Sequence, residues 1–209
     1  MFSQYDHQLF LNTVAGPGSD AAVLRVKGTR KALALATDGK ARFCHLDPRA
    51  GGRHVVLEAA RNVATTGARP LALVNCLNFG NPEHPEVMWQ FAEVVEGMSE
   101  ACEALGIPVV GGNVSFYNES RGDDIHPTPV VGVLGLIDAL DDAPPPARLV
   151  RGSSIVVLGT TAPELGGSEW AAVVHGLDGG LPPAADLDAA ARVHDLVAAL
   201  VNDRDVLGV

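Results

Sequence analysis

Three short segments carry the residue types from which a ligand site is built: Thr37-Asp38-Gly39, Asn75-Cys76-Leu77-Asn78-Phe79-Gly80-Asn81 and Gly111-Gly112-Asn113-Val114-Ser115. Each sets carboxylate, amide or hydroxyl oxygen beside flexible backbone and follows an apolar run, the place where α/β proteins often put ligand groups. Oxygen donors suit Mg²⁺, and glycine lets backbone N–H groups approach phosphate closely, so the chemistry implied is a nucleotide with its metal. Taken singly, each segment also fits a tight turn that uses Gly and Asn for positive φ. Nothing more generic is present: the sequence has no G-x-x-x-x-G-K-[ST] loop, G-x-S-x-G elbow, H-E-x-x-H or G-x-G-x-x-G run.

The elements that must position these segments show in the period of the apolar residues. Residues 21–27 and 31–37 predict two strands joined at Gly28-Thr29-Arg30, an antiparallel start. Between Gly52 and Gly67, Val55, Ala59 and Val63 recur at helical spacing with Val56, Ala60 and Ala64 beside them, and Gly67 is placed to end that helix. Residues 70–77 predict a buried strand followed by a loop over 78–82. A second helix runs from Pro85 to Gly106, with Val87, Phe91, Val94, Met98, Ala101 and Leu105 inside and Glu86, Glu93, Glu96, Glu100 and Glu103 on a solvated face. A short strand over 107–110 runs into the Gly111–Ser115 segment, and 129–137 is another.

At 138–148 three prolines, Pro144, Pro145 and Pro146, and several Asp residues replace the apolar pattern and mark a stiff linker. The expected organisation is a first α/β domain over 1–146 and a second over 147–209. In the second, a strand is expected at 153–159, a helix through Val174, another helix from Leu187 to about Asn202, and the start of a strand at 205–209. So few elements do not close a core, so this second domain is expected to be incomplete.

The formal net charge of −10 disfavours nucleic acid and anionic membrane surfaces, which are held by clustered cations. An apolar fraction of 47% against 19% charged residues is ample for a buried core. No apolar run approaches the roughly 18 residues of a membrane span, and the first residues show no targeting pattern, so the expected location is cytoplasmic. Cys44, Cys76 and Cys102 lack C-x-x-C spacing and are expected to be free, buried thiols.

In order along the chain, the blocks Gly16-Pro17-Gly18-Ser19-Asp20-Ala21-Ala22-Val23, Thr37-Asp38-Gly39, Leu46-Asp47-Pro48, Glu58-Ala59-Ala60-Arg61-Asn62, Cys76-Leu77-Asn78-Phe79-Gly80-Asn81-Pro82, the run from Pro108 to Glu119 and Pro127-Thr128-Pro129-Val130-Val131-Gly132 are similar to those of the phosphoribosylformylglycinamidine synthase family. More narrowly, they resemble the second half of its synthetase subunit, the PurL type. Glu164-Leu165-Gly166-Gly167-Ser168-Glu169 is also typical of it.

The resemblance implies an α/β (α+β) fold: an aminoimidazole ribonucleotide synthetase-like N-terminal domain, here the second repeat, followed by a truncated C-terminal-type domain. It implies an ATP-dependent C–N ligase that converts formylglycinamide ribonucleotide to formylglycinamidine ribonucleotide in purine biosynthesis, with ATP and Mg²⁺ as cofactors. By the same resemblance Asn75 and Gly112 bind ATP, Asn113 ligates Mg²⁺ and Ser115 contacts the substrate, while Asp38 and Asp20 could join a phosphate or metal network. Asn75 departs from the common pattern, in which Asp often stands, and an amide brings no charge to a metal. The family's catalytic His belongs to a first domain outside this chain, so no catalytic residue is assigned and His7 is not taken as one. The partners implied are a glutaminase subunit that supplies ammonia and a small bridging subunit. The isolated chain is expected to be inactive. The alternatives are a non-catalytic, structural nucleotide-binding half of that synthetase, or another enzyme of the same fold superfamily.

Overall fold

A computed structural model describes Gln4 and residues 8–209; His7 lies outside the described residues. In chain order the elements are β1 (Thr13–Ala15), β2 (Ala22–Arg25), β3 (Ala32–Gly39), α1 (Ala41–Leu46), α2 (Pro48–Ala64), β4 (Arg69–Asn78), α3 (Pro85–Leu105), β5 (Val109–Ser115), β6 (Glu119–Ser120), β7 (Asp123–Asp124), β8 (Thr128–Ile137) and α4 (Leu187–Asn202).

Strict alternation of buried and open residues along β8, and of Ala32, Ala34 and Ala36 with larger neighbours along β3, gives each strand one face for a core. Six strands form one sheet in the order β1-β2-β3-β8-β4-β5. The predicted hairpin is there, with Ala22 opposite Leu35 and Arg25 opposite Ala32. Every neighbouring pair is antiparallel except β4 and β5. Helix α2 covers the buried face with Val55, Val56, Ala59, Ala60 and Val63, and α3 packs on α2 through Val94, Met98 and Ala101.

Helix α3 has the predicted bounds, opening at Pro85 and closing where Gly106 turns left-handed at φ 65°. Helix α2 starts earlier than the apolar period indicates. Asp47 Oδ1 accepts from the Ala50 N–H at 3.0 Å and Pro48 supplies the first turn, so the cap and not the apolar stripe sets the start. Helix α1, six residues long, is too short for a period to reveal. The glutamates of α3 are not all idle surface. Glu93, Glu96 and Glu100 face Arg49, and Arg53 Nε meets Glu100 Oε2 at 2.5 Å. The two guanidiniums hold the Glu100 carboxyl down at about 2.

Beyond β8 three expectations are corrected. Residues 153–159 form no strand, and Ile155, Val156 and Val157 are 73%, 73% and 72% exposed. A strand needs a ladder, and no described strand lies beside this segment. The helix expected through Val174 shrinks to a five-residue π-turn, Trp170–Val174. Residues 205–209 form no strand, for the same want of a partner. The predicted α4 is present, capped by Asp186, and it packs against α2 and α3. Asn202 Nδ2 donates to the Gly67 carbonyl at 3.0 Å, and His194 and Val201 are buried.

All three cysteines are free; Cys44 and Cys102 are buried as expected, whereas Cys76 is only half-buried. Burial pushes the Cys44 thiol up to about 12 and that of Cys102 to about 11, which leaves both poor nucleophiles. Among the described residues no helix is long and apolar enough to cross a membrane.

Candidate functional site

The segment Gly111–Ser115 is not a turn after a strand: it is the strand. It continues β5 along the edge of the sheet in parallel register with β4, pairing Asn75 with Gly112, Cys76 with Asn113 and Asn78 with Ser115. Position 112 takes glycine because the neighbouring strand occupies the space a side chain would need. A Cβ on Gly112 would overlap Asn75 Oδ1 and lie 2.7 Å from the Asn75 carbonyl oxygen.

Register across the sheet places the candidate residues. Gly112 lies beside Asn75, Asn75 beside Val131, and Val131 beside Asp38, making one row over β5, β4, β8 and β3. Val131 is 1% exposed, and Asp38 accepts from Asn62 Nδ2 of α2 at 3.0 Å, so this row faces the helices. The next row, Thr37, Gly132, Val74 and Gly111, faces the other way. A Cβ on Gly132 would touch Val74 Cγ2 at 3.2 Å and Thr37 Cγ2 at 3.9 Å. By strand alternation Asn113 and Ser115 belong with Gly111 on that open side. Asn75 and Gly112 are thus brought into contact, while Asn113 and Ser115 project to the opposite face of the same edge strand. As an edge strand, β5 leaves half of its backbone N–H and C=O groups without a sheet partner.

Asp38 and Asp20 do not join them. Asp38 is two strands from Asn75, roughly 10 Å by strand spacing. Burial, and then the charge of Glu58, push its carboxyl above the usual range despite the Asn62 hydrogen bond. Glu58 itself pairs with Lys40 Nζ at 2.6 Å. Asp20 is exposed in the turn before β2 and lines a separate cleft of about 250 Å³ with Thr65, Thr66 and the Pro144–Pro146 run.

Loops after β4 and β5 close over the end of this strand pair through Asn78 and Asn81 of the predicted segment and through Asp124 and His84, which the sequence analysis did not single out. Asn78 Nδ2 donates to the carbonyls of Thr128, at 3.1 Å, and Cys76, at 3.2 Å. Asp124 Oδ1 accepts the Asn81 N–H at 2.6 Å and its Oδ2 meets His84 Nδ1 at 2.6 Å. The Asn81 N–H and then His84 hold the Asp124 carboxyl below its ordinary value, and the Asp124 hydrogen bond raises His84. Local spacing offers no signal for Asp124, which lies 43 residues from Asn81.

The donor set does not fit a resident Mg²⁺. Mg²⁺ is normally held by one or two carboxylates with water and phosphate oxygens. Here the residue paired with Asn113 across the strands is Cys76, and among the described residues no cluster of three or more His, Cys, Asp or Glu could hold a metal. His45 and His126 stack 3.9 Å apart, and no third ligand joins them.

A mixed sheet covered on one face by helices, with Gly- and Asn-rich strand ends at its parallel pair, defines the class. The family profile for AIR synthase related protein, N-terminal domain, matches residues 18–137, and the chain belongs to that family. Over 201 residues it is 54% identical to phosphoribosylformylglycinamidine synthase subunit PurL of Moorella thermoacetica, a match that covers 96% of this chain and 27% of that protein. Solved structures similar to it include Thermotoga maritima PurL complexed with ATP, with TM-score 0.59, 37% identity and coverage of 69% of this chain and 24% of that one. Another is T. maritima PurL complexed with FGAR, with TM-score 0.58, 39% identity and coverage of 66% and 22%. The chain spans about a quarter of the length of the curated relatives it matches.

Proposed function

We propose that the chain is a portion of a phosphoribosylformylglycinamidine synthase that takes the nucleotide at the end of the β4–β5 pair. The observation that carries this reading is the contact of Gly112 with Asn75, which brings backbone and an amide oxygen together within the one parallel strand pair among the described residues, three residues before its C-terminal ends. In it, Asn75 and Gly112 hold ATP and Ser115 contacts formylglycinamide ribonucleotide. Any Mg²⁺ would come with the nucleotide phosphates, where Asn113 would offer it one neutral oxygen. The likeness to structures holding ATP and FGAR supports this assignment.

The reaction is phosphoryl transfer followed by displacement. The amide oxygen of formylglycinamide ribonucleotide takes the terminal phosphoryl group of ATP, releasing ADP. Ammonia then attacks the activated carbon, and phosphate leaves with the former amide oxygen. This chain's residues bind and orient; none of them is assigned as acid, base or nucleophile. Residues 1–146 make the nucleotide-binding domain and 147–209 the beginning of a second. The absence of helix or strand from 138 to 168 supports a boundary at the proline run. The setting proposed is cytoplasmic, with a glutaminase subunit and a small bridging subunit as partners.

Calorimetry with ADP and Mg²⁺ tests the site: wild type binds, Asn113→Ala binds about tenfold more weakly, and a wild type that takes up no nucleotide sinks the reading. The want of a carboxylate cluster among the described residues favours a second reading, a nucleotide held as a structural support. Nucleotide binding without ADP release, in the presence of ATP, Mg²⁺, ammonium and formylglycinamide ribonucleotide, is its signature.

A further inference from the structure

One side chain ties the loops after β4 and β5 to each other. Asn118 Nδ2 donates to the carbonyl oxygens of Phe79 and Ser115, both at 2.9 Å, and lies 3.2 Å from Ser115 Oγ. Ser115 Oγ donates in turn to Asn118 Oδ1 at 3.3 Å. The backbone repeats the tie. Phe79 N–H donates to the Ser115 carbonyl at 2.9 Å, Asn118 N–H to that of Phe79 at 3.2 Å, and Tyr117 N–H to that of Gly80 at 2.8 Å. Between Ser115 and Asn118 the chain passes through Tyr117 at φ 58°, a left-handed conformation that a non-glycine residue holds only where its surroundings enforce it.

A serine hydroxyl has one proton to give and two lone pairs to offer. With its proton directed to Asn118 Oδ1, and the two Asn118 amide protons directed to the Phe79 and Ser115 carbonyls, Ser115 Oγ has only lone pairs to offer a ligand. We propose that Asn118 is a positioning residue that turns Ser115 into a hydrogen-bond acceptor, so that Ser115 receives an O–H or N–H of its substrate and not a phosphate oxygen. The inference rests on the assignment of Ser115 to the ribonucleotide and narrows it: the contact is made to the ribose hydroxyls or the amide end. The substrate's phosphate monoester is mostly doubly ionised at neutral pH, so its oxygens accept and do not donate, and they are turned away for that reason.

Two measurements on the full chain test this. By NMR, the Asn118 side-chain NH₂ is expected to be protected from solvent exchange and to shift in Ser115→Ala, which deletes only a hydroxyl and keeps the backbone tie. Free exchange, or no shift, overturns the proposal whatever the ligand. By calorimetry, Ser115→Ala and Asn118→Ala each weaken formylglycinamide ribonucleotide binding about tenfold, and the double variant weakens it no further. Binding of sulfate, an anion with no proton at neutral pH, stays within twofold. Losses that add in the double variant, or an equal loss for sulfate, also overturn the proposal. A wild type that does not bind the ribonucleotide defeats the substrate assignment of Ser115; a protected, Ser115-sensitive Asn118 NH₂ then still supports the positioning of the hydroxyl.

Discussion

Gly112 lies against Asn75 so closely that no side chain fits between them: a Cβ at 112 would overlap the Asn75 amide oxygen and come within 2.7 Å of its carbonyl oxygen. At Gly111, one residue earlier, a Cβ would meet only Val74 Cγ1 at 3.8 Å, an ordinary contact. Gly112→Ala is therefore expected to displace β5 or Asn75, at a cost of about 1–3 kcal/mol typical of overpacking, and to abolish ADP–Mg²⁺ binding. Gly111→Ala is expected to keep its urea midpoint near that of wild type. Equal loss in the two variants would mean that the register contact is not what the site depends on.

Helices α2 and α3 cross on glycine. A Cβ on Gly97 would overlap the Arg49 carbonyl oxygen, and one on Gly52 would overlap that of Val94. Intrinsic helix propensity favours Ala over Gly by about 1 kcal/mol. The clash is with backbone, which cannot swing aside as a side chain can, so steric cost outweighs propensity. Gly97→Ala is expected to destabilise by about 2 kcal/mol in urea unfolding; a stabilised variant would show that the helices are free to move apart.

The ion-pair network at Glu100 gives the fold a dependence on acid. Hydrogen bonds from Arg49 and Arg53 hold its carboxyl at about 2, below the ordinary 4.5. The stabilisation is present above 4.5 and is lost as pH falls through about 2. Partly exposed pairs are screened, so Glu100→Gln is expected to cost only about 1 kcal/mol at pH 6. Urea unfolding of both proteins across pH is the measurement, and the gap between them should close in strong acid.

His194 adds an acid dependence of the same sign at higher pH. It is 5% exposed, its Nδ1 has no partner, and burial, followed by the charge of Arg61, lowers its pKa to about 4. The unfolded chain takes up this proton near the ordinary 6.5, so stability is full above that pH and falls as pH drops toward about 4. The loss reaches about 2–3 kcal/mol. His194→Leu is expected to flatten the unfolding curve between those limits, because leucine has no proton to bind.

Both long helices and five of the six strands of the sheet were legible because each has a period its neighbours do not interrupt, Val87 to Leu105 for α3 and alternate residues for β8, whereas the three residues of β1 are too few to show one. The start of α2 was less so, since Asp47 and Pro48 set it and the apolar stripe begins later. Residues 153–159 misled. Ile155, Val156 and Val157 have strand composition, but composition cannot supply the neighbour a ladder requires.

The candidate site divides in the same way. Sequence alone determined which residues carry oxygen and which carry no side chain, and their order along the chain marked the family, because both are local properties of the polypeptide. Only the tertiary structure decided that Gly112 meets Asn75, that Asn113 and Ser115 turn to the opposite face, that Asp38 and Asp20 stand apart, and that Asn118 reaches Ser115 and Phe79 together. These follow from strand register, and register is a choice between chains of hydrogen bonds far apart in sequence. A shift of one residue would exchange every side chain between the two faces of the sheet.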